Sequence, residues 1–163
     1  MGLRDVIETV HQRARAHEAT QASLSERRET ETETYDDLFR RLDDWLRPLV
    51  AEGKIQTSRE AVRVVDAKLG ELKVCTLSVH PCPNVGVGVS ITPTGAPSIT
   101  IRNEIKMRRT DNASRPDPFF IYKLASDGEE GPWRITRRTH NPGKPKPLVL
   151  ETFEEAICTL LLG

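Results

Sequence analysis

The sequence predicts an α+β fold: two amino-terminal helices, a five- to six-stranded antiparallel meander, and a carboxy-terminal helix packed on one face of the sheet. Three observations carry that reading. Apolar residues recur at helical spacing through the opening third of the chain and again at its end. Between those segments, short stretches alternate apolar and polar side chains and are separated by turns rich in Gly, Pro and Asp. Helices come first, strands follow as a block, and a helix closes the order, whereas an α/β fold would alternate them.

Residues 1–34 hold five large aliphatics (Leu3, Val6, Ile7, Val10 and Leu24) and no aromatic. So little apolar surface cannot offset the entropy of ordering the segment, so it must dock on something or stay partly disordered. The chain is therefore read as a helical arm, 1–34, and a single α+β domain, 35–163. Leu3, Ile7, Val10, Ala14, His17, Gln21 and Leu24 follow the 4-3-4-3 spacing of a coiled-coil seam. The register continues through Arg28 and Glu31 into Tyr35, Leu38, Leu42, Trp45 and Leu49. Thr30-Glu31-Thr32-Glu33-Thr34 is nonetheless a poor helix interior, because β-branched side chains lose rotamer freedom there. Thr34 before Asp36 and Asp37 makes a good amino-terminal cap. The expectation is two helices, about 3–28 and 35–52. The second has a wide apolar face of Tyr35, Leu38, Phe39, Leu42, Trp45, Leu46 and Leu49, and Gly53 ends it.

Residues 58–69 carry conflicting signals. Thr57 and Glu60 have capping-box spacing, but Val62, Val64 and Val65 prefer a strand. The reading is a strand at 61–67 that turns at Leu69-Gly70 into a strand at 72–79. Val85, Val87, Val89 and Ile91 then alternate strictly, and Ile99, Ile101, Ile105 and Met107 share one face. Phe119–Leu124 is apolar on both faces and reads as a covered strand, followed by a strand at 133–137. The three prolines of Asn141–Pro147 argue against ladder pairing. Thr152-Phe153-Glu154-Glu155 is a capping box that opens a helix with Phe153, Ala156, Ile157, Leu160 and Leu161 in one stripe.

Composition narrows the function. In 163 residues, 24 basic and 24 acidic side chains cancel, which removes the overall electropositivity of a protein that coats nucleic acid. No apolar run has the length of a membrane span, and the charged start is unlike a secretory signal. Three cysteines (Cys75, Cys82 and Cys158) read as free thiols, so a cytoplasmic protein is expected.

Motifs for chemistry are sparse. Gly86-Val87-Gly88 lacks the third glycine and the following helix of a dinucleotide loop, so these glycines read as points of close backbone approach. His80 and Cys82, with His140 distant, have poor zinc spacing. Cys75 and Cys158 sit among apolar neighbours and read as packing residues, not activated thiolates. Asp36-Asp37, Asp43-Asp44 and Glu129-Glu130 fall on polar helix faces or loops, where solvent keeps both members ionised. No catalytic residue, metal or cofactor is expected.

One asymmetry remains. Residues 61–150 carry 14 basic and 8 acidic groups, against a net deficit on either side. Strand parity, with Ile105 and Met107 inward, predicts a basic outer sheet face of Arg102, Lys106, Arg108, Arg134 and Arg138, with Tyr122 among them. The leading expectation is a non-catalytic protein–protein interaction module of adaptor or chaperone type. It would form a homodimer or higher oligomer through Leu3, Ile7, Val10, Ala14 and Leu24, with the basic face as a second surface for an acidic protein partner. The alternative is nucleic-acid binding on that basic face through phosphate contacts and stacking. A small-ligand pocket between sheet and helices, near Gly86, Gly88 and Ser90, is a second alternative.

Overall fold

A computed structural model describes all residues except 1, 96–97, 112–114, 129 and 138–143. The element order is α1 (Leu3–Ala51), β1 (Ile55–Asp66), β2 (Gly70–Pro81), β3 (Val89–Gly95), β4 (Ile101–Arg109), β5 (Phe119–Leu124), a 3-10 turn (Ala125–Asp127), β6 (Arg134–Arg137), β7 (Lys146–Pro147) and α2 (Leu150–Leu162). The strands form one antiparallel sheet in sequence order, β1 to β7. The α+β class and the antiparallel sheet agree with the sequence reading, while the number of helices and of strands does not.

The two expected amino-terminal helices are one helix of 49 residues. Its threonine-rich segment does not break, because tertiary contacts outweigh weak propensity there. The Thr30 and Thr34 hydroxyls donate to the carbonyls of Glu26 and Thr30, one turn back, at 3.1 and 2.9 Å. Glu31 is held by β4. Thr34 thus lies inside the helix and caps nothing. Gly53, with φ +69°, follows the helix end as expected.

Residues 55–66 are a strand throughout, paired with β2 over twelve positions. This settles the ambiguity of that segment in favour of its valines. Burial changes parity along β2: Leu72 and Val74 are buried, then Leu77 and Val79. The change falls at Thr76, where the short ladder with β3 ends. There the Thr76 hydroxyl donates to the Ile91 carbonyl at 3.0 Å.

β1 begins earlier than the expected residue 61, β2 extends past both ends of the expected 72–79, and three later features also differ from expectation. The alternation from Val85 is realised only at Val89 and Ile91, since Gly86 takes φ +80° and Val85 is exposed. Ile99 is 80% exposed and precedes β4, so it is not part of the inward stripe. Lys146–Pro147 does pair with β6 despite its prolines. An edge strand can leave one side unbonded, and Leu148 supplies the donor to the Trp133 carbonyl at 3.0 Å.

The core lies between the sheet and the helices. Tyr35, Leu38, Phe39, Leu42 and Leu46 of α1 pack with Ile91, Ile105, Met107 and Ile121 of the sheet. Phe153, Ala156 and Leu160 of α2 join the same cluster. Trp45 meets Phe153 at a ring separation of 5.6 Å and so couples the two helices. The helix α2 begins earlier than its capping box implied. Thr152 lies in its first turn, accepts from Val149 N at 3.0 Å and donates to the Pro147 carbonyl at 2.8 Å.

Candidate functional site

The seam read from the sequence runs unbroken along α1, but its two halves have different surroundings. From residue 2 to residue 23 every residue is exposed, including Leu3 at 77%, Ile7 at 47% and Val10 at 56%. Ala14 lies on the same exposed stripe, and Val6 flanks it. Leu24 is the first residue packed against the core, and Glu31 the first buried one. At 1.5 Å per residue the free part of the helix is about 30 Å long.

The root of the arm is fixed by polar contacts. Arg28 Nε donates to the Leu69 carbonyl, at the tip of the β1–β2 hairpin, at 2.6 Å. Glu31 accepts from Arg102 Nε at 3.2 Å and from the Asn103 amide nitrogen. The Tyr35 hydroxyl accepts from Glu104 N at 3.3 Å and is also hydrogen-bonded to the Asn103 side chain. Burial raises the Tyr35 pKa well above the ordinary tyrosine value, with smaller contributions from nearby Glu31 and Asp66. Lys123 lies next to this network, over the Trp133 ring at 5.1 Å. Burial lowers its pKa, and Arg102 lowers it further. The seam therefore uses Leu24, Arg28, Glu31, Tyr35 and Leu38 within its own chain and leaves Leu3, Ile7, Val10 and Ala14 outside. Arg28 and Glu31 were visible in the sequence as polar residues at seam positions, where a specific partner is the usual reason for them. That the partner of Glu31 is β4 was not.

The predicted basic face is only partly assembled. A bulge between Ile101 and Asn103 leaves Arg102 as an extra residue in β4 and turns it onto the helix side, where it pairs with Glu31. Placing Arg102 outward by simple alternation is therefore corrected. Lys106 and Arg108 do lie on the face away from the helices, in register with Phe120 and Ser90. Arg134 shares that face, opposite Tyr122, and pairs with Asp127 at 3.1 Å. Arg138 lies outside the described residues. Tyr122 and Phe120 are each 8% exposed, which leaves little ring surface for stacking on a base.

A cleft of about 290 Å³ lies between α1 and the hairpin tip, lined by Arg27, Glu31, Asp66, Lys68 and Arg102. Two of its acids already have internal work: Glu31 is paired with β4, and Asp66 accepts from the backbone N–H groups of Lys68 and Leu69. Gly88 is a point of close approach, as expected, and His80 fills the space beside it. Gly86 has open surroundings and serves a left-handed turn. Among the described residues no group of three or more His, Cys, Asp or Glu could hold a metal ion, and no helix is long and apolar enough to cross a membrane. Comparison with protein-family models, with curated proteins and with solved structures finds no match to this chain.

Proposed function

We propose that the protein is a self-associating interaction module, an adaptor-like body that carries a helical arm for docking to a second copy. The observation that carries this reading is the exposure of residues 2–23 along a seam that, further along the same helix, becomes core. A helical extension that packs on nothing is only weakly held in water, because most helical stability in proteins comes from packing of an apolar face. Leu3, Ile7, Val10 and Ala14 have the spacing of such a face and are exposed along the whole of it. A second helix with the same spacing is the simplest surface to cover them.

Sedimentation equilibrium of the full chain over a wide concentration range tests the reading. A dimer is expected, and it should dissociate in the double variant Ile7→Glu/Val10→Glu. That variant should retain the cooperative unfolding of the body, since both side chains lie on the exposed arm. A parent chain that stays monomeric at all concentrations would overturn the proposal.

A further inference from the structure

The seam does not stop where the arm meets the body, and this restricts how a second copy can approach. Resting on the reading above, we infer that two arms pair antiparallel, with the two bodies at opposite ends of the pair. The stripe covered by the sheet at Leu24, Arg28, Glu31 and Tyr35 is the same stripe left bare at Leu3, Ile7, Val10 and Ala14. A helix lying on the bare part therefore points directly at the hairpin tip. Leu69 stands there, buried and bonded to Arg28.

In a parallel, in-register pair each residue faces its own copy. Beyond Leu24 the partner helix would have to run where Leu69 and β4 already cover the seam. Paired helices keep their axes 8–10 Å apart. A helix is itself ~10 Å thick, so no room remains for two hairpin tips between them. The arms would have to diverge before their contact was complete. In an antiparallel pair each helix leaves the contact at its own Leu24, heading away from the other body. The partner's first turn, which opens at Leu3 after an extended Gly2, comes near the hairpin.

Side-chain placement points the same way. The arm seam is Leu3, Ile7 and Val10 on one side of Ala14, and His17, Gln21 and Leu24 on the other. Parallel pairing sets His17 on His17 and Gln21 on Gln21, which stacks polar residues on themselves. Antiparallel pairing about Ala14 sets Leu3 opposite Leu24, Ile7 opposite Gln21 and Val10 opposite His17, which spreads the apolar contact along the whole arm. The result is an isologous two-fold interface centred near the middle of the arm.

The orientation is read by pulsed electron spin resonance on full-length protein carrying Cys75→Ala and Cys82→Ser, with a nitroxide on the exposed Cys158. Trp45 packs on Phe153, which places α2 at the height of residue 45 of α1. The inferred arrangement separates the two labels by roughly 90 Å at 1.5 Å of helix rise per residue. Side-by-side bodies would bring them within about 40 Å, a few helix diameters. A long distance in a sample shown by sedimentation to be dimeric is the expected result. A short distance in a dimer that Ile7→Glu/Val10→Glu dissociates would overturn the orientation and leave self-association standing. A monomer, or a dimer that survives that double substitution, would overturn both.

Discussion

Glu31 and Arg102, 71 residues apart in sequence, meet at 3.2 Å across the junction between α1 and β4. The contact sits at the last place where α1 is held to β4 before it leaves the body as an arm. Glu31 also accepts from the buried Asn103 amide, so one carboxylate satisfies donors on two neighbouring residues of a β-bulge. Removing it would take an acceptor from a guanidinium that is only 24% exposed. Glu31→Ala is therefore expected to destabilise the protein by about 2–3 kcal/mol, toward the lower end for a broken buried pair because the site is partly wet. Urea unfolding measures this. A change under about 0.5 kcal/mol, typical of an exposed pair, would show that the contact is not structural.

Tyr35 gives the protein a defined response to alkali. Its hydroxyl loses a proton at higher pH in the folded than in the unfolded chain, because burial disfavours the phenolate. The stability this neutral hydroxyl contributes is complete below the ordinary tyrosine pKa near 10 and declines as pH rises above it, where only the unfolded state is ionised. Tyr35→Phe should cost about 1 kcal/mol at pH 7 through its lost hydrogen bonds. The difference between parent and variant should shrink above pH 10 and reverse in sign before about pH 11.5. Chemical denaturation at a series of pH values would reveal it, and a constant difference over that range would contradict it.

Gly88 and Gly86 should respond differently to alanine. A Cβ at Gly88 would lie 2.4 Å from His80 Nδ1 and 2.5 Å from the Val79 carbonyl oxygen, and the second of these is backbone. Gly88→Ala is expected to cost about 2 kcal/mol or more through overpacking. At Gly86 nothing stands within 4 Å, and only the positive φ is unfavourable, so Gly86→Ala should cost about 1 kcal/mol. Thermal unfolding of the two variants ranks them, and equal midpoints would refute the close approach at Gly88.

Substitutions on the arm should leave the body unmoved. Ile7→Asn and Val10→Asn, measured at a concentration low enough to exclude association, should shift the denaturation midpoint of the body within the scatter of ordinary surface changes, roughly ±0.5 kcal/mol. A larger loss would mean that the arm touches the body in solution.

The sequence was legible wherever one residue's surroundings follow from its neighbours along the chain. Ile105 and Met107 alternate and are both fully buried, and Phe153, Ala156 and Leu160 share a face and all enter the core. It was less legible where a distant segment decides. Strict alternation cannot reveal the bulge that sends Arg102 toward Glu31, because a bulge is a register relation between two strands. The threonines near residue 32 read as a break because their propensity is local, whereas Arg28, Glu31 and Tyr35, which carry the helix through, bond to residues 69, 102, 103 and 104. The arm seam was fully visible as spacing. Which part of it the sheet would cover was not, because the period is the same at Val10, which is bare, and at Leu38, which is core.

The continuity of α1 also bears on how the arm becomes ordered. Starting a helix in water is slow and unfavourable, since several residues must be fixed for one hydrogen bond, whereas lengthening it costs little per residue. Here the body supplies the first turns: residues from Tyr35 onward are clamped by the sheet and form a permanent seed. Every residue toward Leu3 is then an extension step. Ordering fades gradually toward the amino-terminal end, without an all-or-none transition. Amide exchange along α1 should accordingly rise smoothly from Glu31 back to Leu3, and a docked partner should flatten that gradient from its far end.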